Sequence, residues 1–366
     1  MRTFDGLIRE YPAFGVDHFR VRRNIRAFLL SHVHRDHLNG LENEAVNAPI
    51  YCSEITALLL PELRSKRNVA EATEAQGIQR RYAHVKRLLR PLPLFQAIDI
   101  DLGEDGQVSL TLLPTNHCPG AVMFLIRGGQ GSVLYTGDFR AEAQFMDEIR
   151  NDGRLLGSSS TQQTPSSTTC STTTKDASES LCIQDTPLSV IKTLQNFPLN
   201  NGALKRSSAL LMPILLEPYS TSICGRLDFE EHWVQIASAR HTKIHVSQYT
   251  YDLYTKTLGY VMPSVASILT TDPKTLFHSC HWNASPCRQY KWHVVKVRPS
   301  AMWWKGRDRC QDDPTSRRKG VWKLYEDCIN LRCLGSEDGK RNLDFVNLFF
   351  AMHSSLNELK GFVELL

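Results

Sequence analysis

His32, His34, Asp36 and His37 fall in one short stretch, His32-Val33-His34-Arg35-Asp36-His37, directly after Ser31 and the apolar run Ala27-Phe28-Leu29-Leu30. On an extended or tightly turning segment His32 and His34 project to the same side, because side chains alternate with period two. The chain then leaves through Leu38-Asn39-Gly40-Leu41. A strand that ends in such a loop brings imidazoles and a carboxylate to one point, the ligand set of a borderline-soft cation such as zinc. A short His-rich run can also be a solvated loop. Here the spacing is regular, and the cluster sits straight after a buried-looking strand.

A hydrolytic metal centre needs further ligands. His117 and Asp138 each stand close behind an apolar strand, in Asn116-His117-Cys118-Pro119-Gly120 and Thr136-Gly137-Asp138-Phe139-Arg140. His353, in His353-Ser354-Ser355, repeats the pattern far along the chain. Singly these are equally a core histidine, a turn carboxylate and a helix cap; in series with the first cluster they point to one centre. A second set, His245, His278, Cys280 and Cys287, has the two-Cys, two-His make-up of a structural zinc site, with His281 and His293 as rival ligands. Buried thiols and surface histidines are the alternative reading there.

The elements that must hold these residues are legible in outline. Residues 27–32 and Pro49-Ile50-Tyr51-Cys52 read as strands, and Ser53 as the N-cap of a helix that Pro61 interrupts. Residues 62–90, rich in Arg, Lys, Glu and Ala, read as helix; their basic set Arg80, Arg81, Lys86, Arg87 and Arg90 suits phosphates or an ordinary solvated face equally. Val108–Leu113, Val122–Ile126 and Ser132–Tyr135 read as strands, with Gly128, Gly129 and Gly131 turning the last pair into a hairpin. Residues 157–180 are Ser/Thr-rich with almost no large apolar group, and read as disordered or an inserted loop. Helix is expected to start near Thr186-Pro187, with a buried strand at Ala209–Leu216, a helix at Phe229–Ala239 and strands at Lys243–Ser247 and His293–Val297. Residues 305–341 resist assignment, Leu343–Met352 is strongly apolar, and Leu356–Leu366 reads as helix.

The 366 residues suffice for one large or two ordinary domains, and 42% hydrophobic with 22% charged residues fits a soluble globular protein. No apolar run is long enough to span a bilayer, and the N-terminus lacks a secretory apolar core, so no membrane partner and an intracellular location are expected. Ten scattered cysteines suggest thiols and a metal site more than a disulfide framework. A net charge of +5 permits a polyanionic partner without demanding one.

The series His32-x-His34-x-Asp36-His37, His117, Asp138 resembles the metallo-β-lactamase fold. The longer strings Tyr11-Pro12 with Asp17, Leu112-Leu113-Pro114 with His117-Cys118-Pro119-Gly120, Met123-Phe124-Leu125 and Leu134-Tyr135-Thr136-Gly137-Asp138-Phe139-Arg140 resemble Artemis-like DNA-repair nucleases of the β-CASP branch. Lys296-x-Arg298-Pro299-Ser300-x-Met302-Trp303 and His353-Ser354-Ser355 extend the likeness. The resemblance implies an α/β protein with a four-layer αββα core split in sequence. Residues 1–155 and 291–366 would form the metallo-β-lactamase domain, around a β-CASP insertion at 156–290. It implies one zinc on His32, His34 and His117 with Asp138 bridging, and a second metal on Asp36, His37 and His353. Asp17 would orient a ligand imidazole from behind, and the second His/Cys set would be a closed zinc site. Zinc lowers the pKa of a bound water, so the implied activity is phosphodiester hydrolysis, with Asp36 as ligand and base. Arg35 and Ser354 are candidate contacts to a DNA phosphate, Arg35 with a plain surface arginine as its alternative.

Two departures stand out. The family's aspartate in a Leu-Asp-Thr-Thr-like string has no counterpart in Ser171-Thr172-Thr173-Thr174, and Asp176 and Asp185 are weak substitutes. Leu366 also falls before the place of the family's last short motif. The expectation is therefore a zinc-dependent DNA exo- or endonuclease of double-strand break or crosslink repair, nuclear, with DNA and repair factors as partners. An RNA-processing β-CASP nuclease and a DNA-binding pseudonuclease are the rivals.

Overall fold

Apolar triplets bounded by charged turns build the first sheet. In the computed structural model Phe14–Val16 (β1), Ala27–Leu29 (β2), Ile50–Ser53 (β3) and Leu89–Leu92 (β4) pair in parallel in that order. Every residue of β1 and β2 is buried, as expected of parallel strands covered on both faces. A second sheet is an antiparallel meander of Ala97–Asp101 (β5), Gln107–Pro114 (β6), Val122–Gly128 (β7) and Gly131–Tyr135 (β8). Gly128 pairs with Gly131 across the tight turn the glycines foretold. The structure describes residues 5–64, 81–151, 220–223, 230–280, 294–299, 321–325, 329–335, 341–348, 354 and 356–365.

Alternation along the meander sends side chains into two cores. Leu110, Leu112, Phe124, Ile126 and Tyr135 pack with Phe14 and Leu29 of the parallel sheet. Leu113, Met123, Leu125 and Leu134, on the other face, pack with Phe139, Phe145 and Ile149 and with Phe362 of the helix Leu356–Leu365. Phe139 and Phe362 bring their ring centroids to 4.7 Å. Both faces being buried explains why these strands read as near-continuous apolar runs.

The chain divides into two compact units. The first comprises 1–54, 87–197 and 353–366, and the second 55–86 and 198–352. In the second, Ser220–Ile223 (β9), Ile244–His245 (β10), Leu269–Thr270 (β11), Phe277–His278 (β12), Val294–Pro299 (β13), Val321–Tyr325 (β14), Ile329–Gly335 (β15) and Arg341–Leu348 (β16) form one sheet, ordered β11-β10-β12-β9-β13-β16-β15-β14. Pairing is parallel from β11 to β16 and antiparallel through β15 and β14. Trp233, on the helix Glu230–Arg240, packs edge-on against Tyr254 and donates to Ser279 Oγ at 3.0 Å.

The structure bears on three expectations. Residues 62–90 were read as one helix, but Ala83–Leu88 is 3-10 helix and Leu89–Leu92 a strand, because pairing with β3 overrides the helix propensity of Leu and Arg. The sequence places the return to the first domain at 291; in the structure β13 bonds β9 and β16, and the compact unit that contains them runs to 352. Residues 305–341, unassignable from sequence, contain β14 and β15. The Ser/Thr-rich 157–180, the helix start near 186 and the strand at 209–216 lie outside the described residues. Among the described residues, no helix is long and apolar enough to cross a membrane.

Gly40 shows how the loop after the histidine cluster is held. Its φ is +87°, and a Cβ there would stand 2.7 Å from Phe19 O, where Phe19 N already donates to Asn39 O at 2.8 Å. Gly40→Ala combines a disfavoured backbone with a backbone clash and should destabilise the fold by about 1–3 kcal/mol. Chemical denaturation of the full chain would show this; an unchanged midpoint would refute the account.

Candidate metal centre

Asp17 is the first element of the centre. It follows β1 with φ +49° and is 1% exposed. Oδ1 accepts from Ser31 N at 2.8 Å, while Oδ2 accepts from Ser31 Oγ at 2.5 Å, His37 Nδ1 at 2.7 Å and Tyr135 OH at 2.8 Å. These bonds tie β1, the end of β8 and the loop after β2 to one carboxylate.

They also set the state of two imidazoles. The Ser31 hydroxyl spends its hydrogen on Asp17, so its 2.9 Å contact with His32 Nδ1 must be a hydrogen bond that His32 donates. That leaves the lone pair on His32 Nε2, an atom that is buried and has no hydrogen-bond partner. Burial, and then the neighbouring charge of His37, holds the His32 pKa well below its ordinary value, so the ring is neutral. An orphaned, deprotonated imidazole nitrogen in a closed site is what a ligand awaiting a cation looks like. Burial pulls the His37 pKa down, but the Asp17 and Asp138 carboxylates outweigh it and push it up to about 10.

The remaining donors come from two loops that lock together. Arg140 Nε donates to Asn116 O at 2.6 Å and Arg140 N to Asn116 Oδ1 at 2.9 Å. Thr115 Oγ1 donates to Asp138 O at 3.3 Å. Gly137, at φ +54°, lets this loop approach Ser31: a Cβ would lie 2.9 Å from Ser31 Cβ. As a result Asp138 Oδ2 stands 3.7 Å from His32 Nε2, 3.4 Å from His37 Nε2 and 3.5 Å from His117 Nε2. His34 Nδ1 is 3.0 Å from His117 Nε2. One Asp138 oxygen thus stands within 3.7 Å of nitrogens of His32, His37 and His117, and His34 joins the cluster through His117, with His32, His34 and His117 forming a group that could hold an ion.

The other sequence candidates fall as follows. Asp36 sits in the 3-10 turn Arg35–His37 with its side chain 67% exposed, its Oδ2 3.9 Å from His37 Nε2 at the rim of the cluster. Arg35 beside it is exposed. Ser354, considered for phosphate contact, is buried: its Oγ donates to Phe139 O at 3.0 Å and accepts from Ala141 N at 2.7 Å, so the hydroxyl is committed to bracing the Asp138 loop. His353 and Cys287 lie outside the described residues. Cys118, which the sequence reading did not single out as a ligand, has Sγ within 4.8 Å of ligand nitrogens of His32, His34 and His117. Its position next to His117 was the available signal.

In the second unit His245 and His278 are paired in register on adjacent parallel strands, with ring centroids 4.6 Å apart. Cys280 Sγ lies 3.9 Å from His278 Nδ1, and all three residues are buried. Burial, then the neighbouring His278, lowers the His245 pKa to about 4, and burial also lowers that of His278, so both rings present lone pairs. The two clusters are candidate metal sites with different donor sets.

Comparison with known proteins agrees with this chemistry. The family model described as Anti-Pycsar protein Apyc1 matches residues 14–164. Protein artemis of Homo sapiens is 27% identical over 331 residues, covering 84% of this chain and 43% of that protein. The 5′ exonuclease Apollo of Gallus gallus is 40% identical over 154 residues, 42% of this chain and 29% of that one. The chain is thus similar in sequence to the Artemis and Apollo proteins. It spans less than half the length of the human Artemis protein. A crystal structure of a protein of unknown function from Enterococcus faecalis matches with a TM-score of 0.50 at 14% identity, over 93% of this chain and 72% of that one, a likeness of fold alone. The clustered donors are candidate metal sites in a chain of mixed α/β architecture.

Ser31→Ala removes the acceptor for His32 Nδ1–H while leaving all the clustered nitrogens in place. Zinc affinity should drop about 10- to 100-fold, as for other residues that orient a ligand from behind. Competition with a chromophoric chelator measures it, and wild-type affinity in the variant would contradict the relay.

Proposed function

We propose that this chain is a zinc-dependent DNA nuclease, acting as a 5′–3′ exonuclease, a hairpin or overhang endonuclease, or both, in nuclear double-strand break or crosslink repair. The observation that carries the reading is that the loop bearing His32, His34 and His37 meets His117 and Asp138 from two other loops, with His32, His37 and His117 beside Asp138 and His34 beside His117. Similarity to Artemis and to the 5′ exonuclease Apollo supports DNA as the substrate class in this reading. In this reading the first unit is a metallo-β-lactamase domain with αββα layers, and the second unit is the β-CASP insertion.

His32, His34, His117 and Asp138 would hold zinc, and Asp36, His37 and His353, with Asp138, would hold a second ion. A bound zinc supplies an acidified water and positive charge against the oxygens of a phosphodiester. Asp36, exposed at the rim, orients the attacking water and takes its proton on Oδ2. Arg35, exposed beside it, meets a backbone phosphate, so DNA affinity falls steeply with salt. Asp17 acts from behind, through His37 and Ser31. His245, His278, Cys280 and Cys287 form a closed zinc site that steadies the second unit.

Asp36→Asn is expected to abolish cleavage of a labelled hairpin and of a labelled 5′-phosphorylated single strand, with DNA binding retained. Chelation should silence the unaltered chain and added zinc restore it. Full activity in the variant would refute the role of Asp36. Preference for RNA, or tight DNA binding by the unaltered chain without cleavage, would overturn the proposal itself. Cys280→Ser should lower the zinc content by one equivalent relative to the unaltered chain; an unchanged content would remove the second site.

A further inference from the structure

Cys118 lies on a hydrogen-bonded turn, with Ala121 N donating to Cys118 O and Thr115 N to Ala121 O, both at 3.0 Å. That turn follows β6 and carries the thiol to the same point as His117. One donor atom from each of His32, His34, His117 and Cys118 falls inside a 4.8 Å span. The lone pair of His32 Nε2, buried and without a hydrogen-bond partner, faces into this set. Donors of one tetrahedral zinc lie roughly 3.5 Å apart at ordinary bond lengths, so small side-chain rotations close the span.

We propose that Cys118 is a sulfur ligand which closes the His32–His34–His117 site around a borderline-soft divalent cation, in competition with Asp138 for the fourth place. The inference rests on the metal reading of this cluster. Ligation takes the thiolate, and the thiol proton passes to solvent. Three imidazoles and a thiolate satisfy a tetrahedral zinc completely and leave no open position, the mark of a structural rather than a catalytic site. With Asp138 in the fourth place the donor set would be harder, and the side of the cluster where Asp36 stands would stay open. The two arrangements are a resting centre and a working one. Soft ions such as zinc and cobalt(II) favour the first more than manganese or magnesium does.

The test is cobalt(II) loading of the full chain, comparing unaltered protein with Cys118→Ser and His32→Ala. Sulfur-to-cobalt charge transfer should give a near-ultraviolet band that loses intensity in Cys118→Ser, beyond whatever other cysteines contribute. Peptide-mapped alkylation reads the same thiol directly: Cys118 should react with iodoacetamide in chelator-treated protein and be protected once zinc is added. An unchanged band in Cys118→Ser at full cobalt occupancy, or alkylation of Cys118 indifferent to zinc, would overturn the proposal. If His32→Ala binds as much cobalt as the unaltered chain, it is the metal reading of the cluster that fails.

Discussion

Asp17 carries a buried negative charge at 1% exposure, and a charge so placed is tolerated only when it is fully hydrogen-bonded. Ser31, His37 and Tyr135 supply those bonds from parts of the chain up to 118 residues apart. Each bond also does something for the centre. Ser31 passes the constraint to the His32 ring, His37 is turned to face Asp138, and Tyr135 fixes the end of the strand from which the Asp138 loop departs. Without that carboxylate the imidazoles would sit on the same backbone in undefined tautomers.

The sheets explain why the donors meet. β2, β6 and β8 release their loops near one another, and the Asn116–Arg140 hydrogen bonds hold two of those loops as one piece. Apolar cores lie on both faces of the meander, so the loops stand on a rigid base rather than carrying their own stability. The polar cluster can then be held in a low-dielectric setting, where unpaired nitrogen is costly and a cation correspondingly well bound.

Much of the site was legible in the sequence, and for a physical reason. Histidines and aspartates placed directly behind apolar strands are exposed to few alternative environments, which is why His32, His34, His37, His117 and Asp138 were identifiable. Ser31 and Tyr135 were not, because their role exists only as a contact with Asp17 that no local spacing encodes. Cys118 was hidden by its neighbour: a residue following a ligand in a turn reads as part of the turn. The bracing role of Ser354 was not legible, since residue type does not reveal whether a hydroxyl faces outward or braces a backbone. In the fold, Leu89–Leu92 was misassigned because the partner strand that makes it a strand lies some forty residues earlier. The grouping of β13 to β16 with β9 was not legible either, because strand pairing is settled by neighbours in space, not by sequence order.

The brace formed by Ser354 and Phe362 bears on the order of events during synthesis. Ala141 meets Ser354 across a sequence separation of 213 residues, and the ring of Phe139 is covered by a side chain later still. A ribosome that has released the first 151 residues has delivered every described histidine of the first cluster but not the clamp on the Asp138 loop. The nascent first unit must therefore wait, with one apolar face open, until the second unit has emerged. That interval is a window for chaperone binding, and the Asp138 loop gains its brace only after the residues of the second unit have been made.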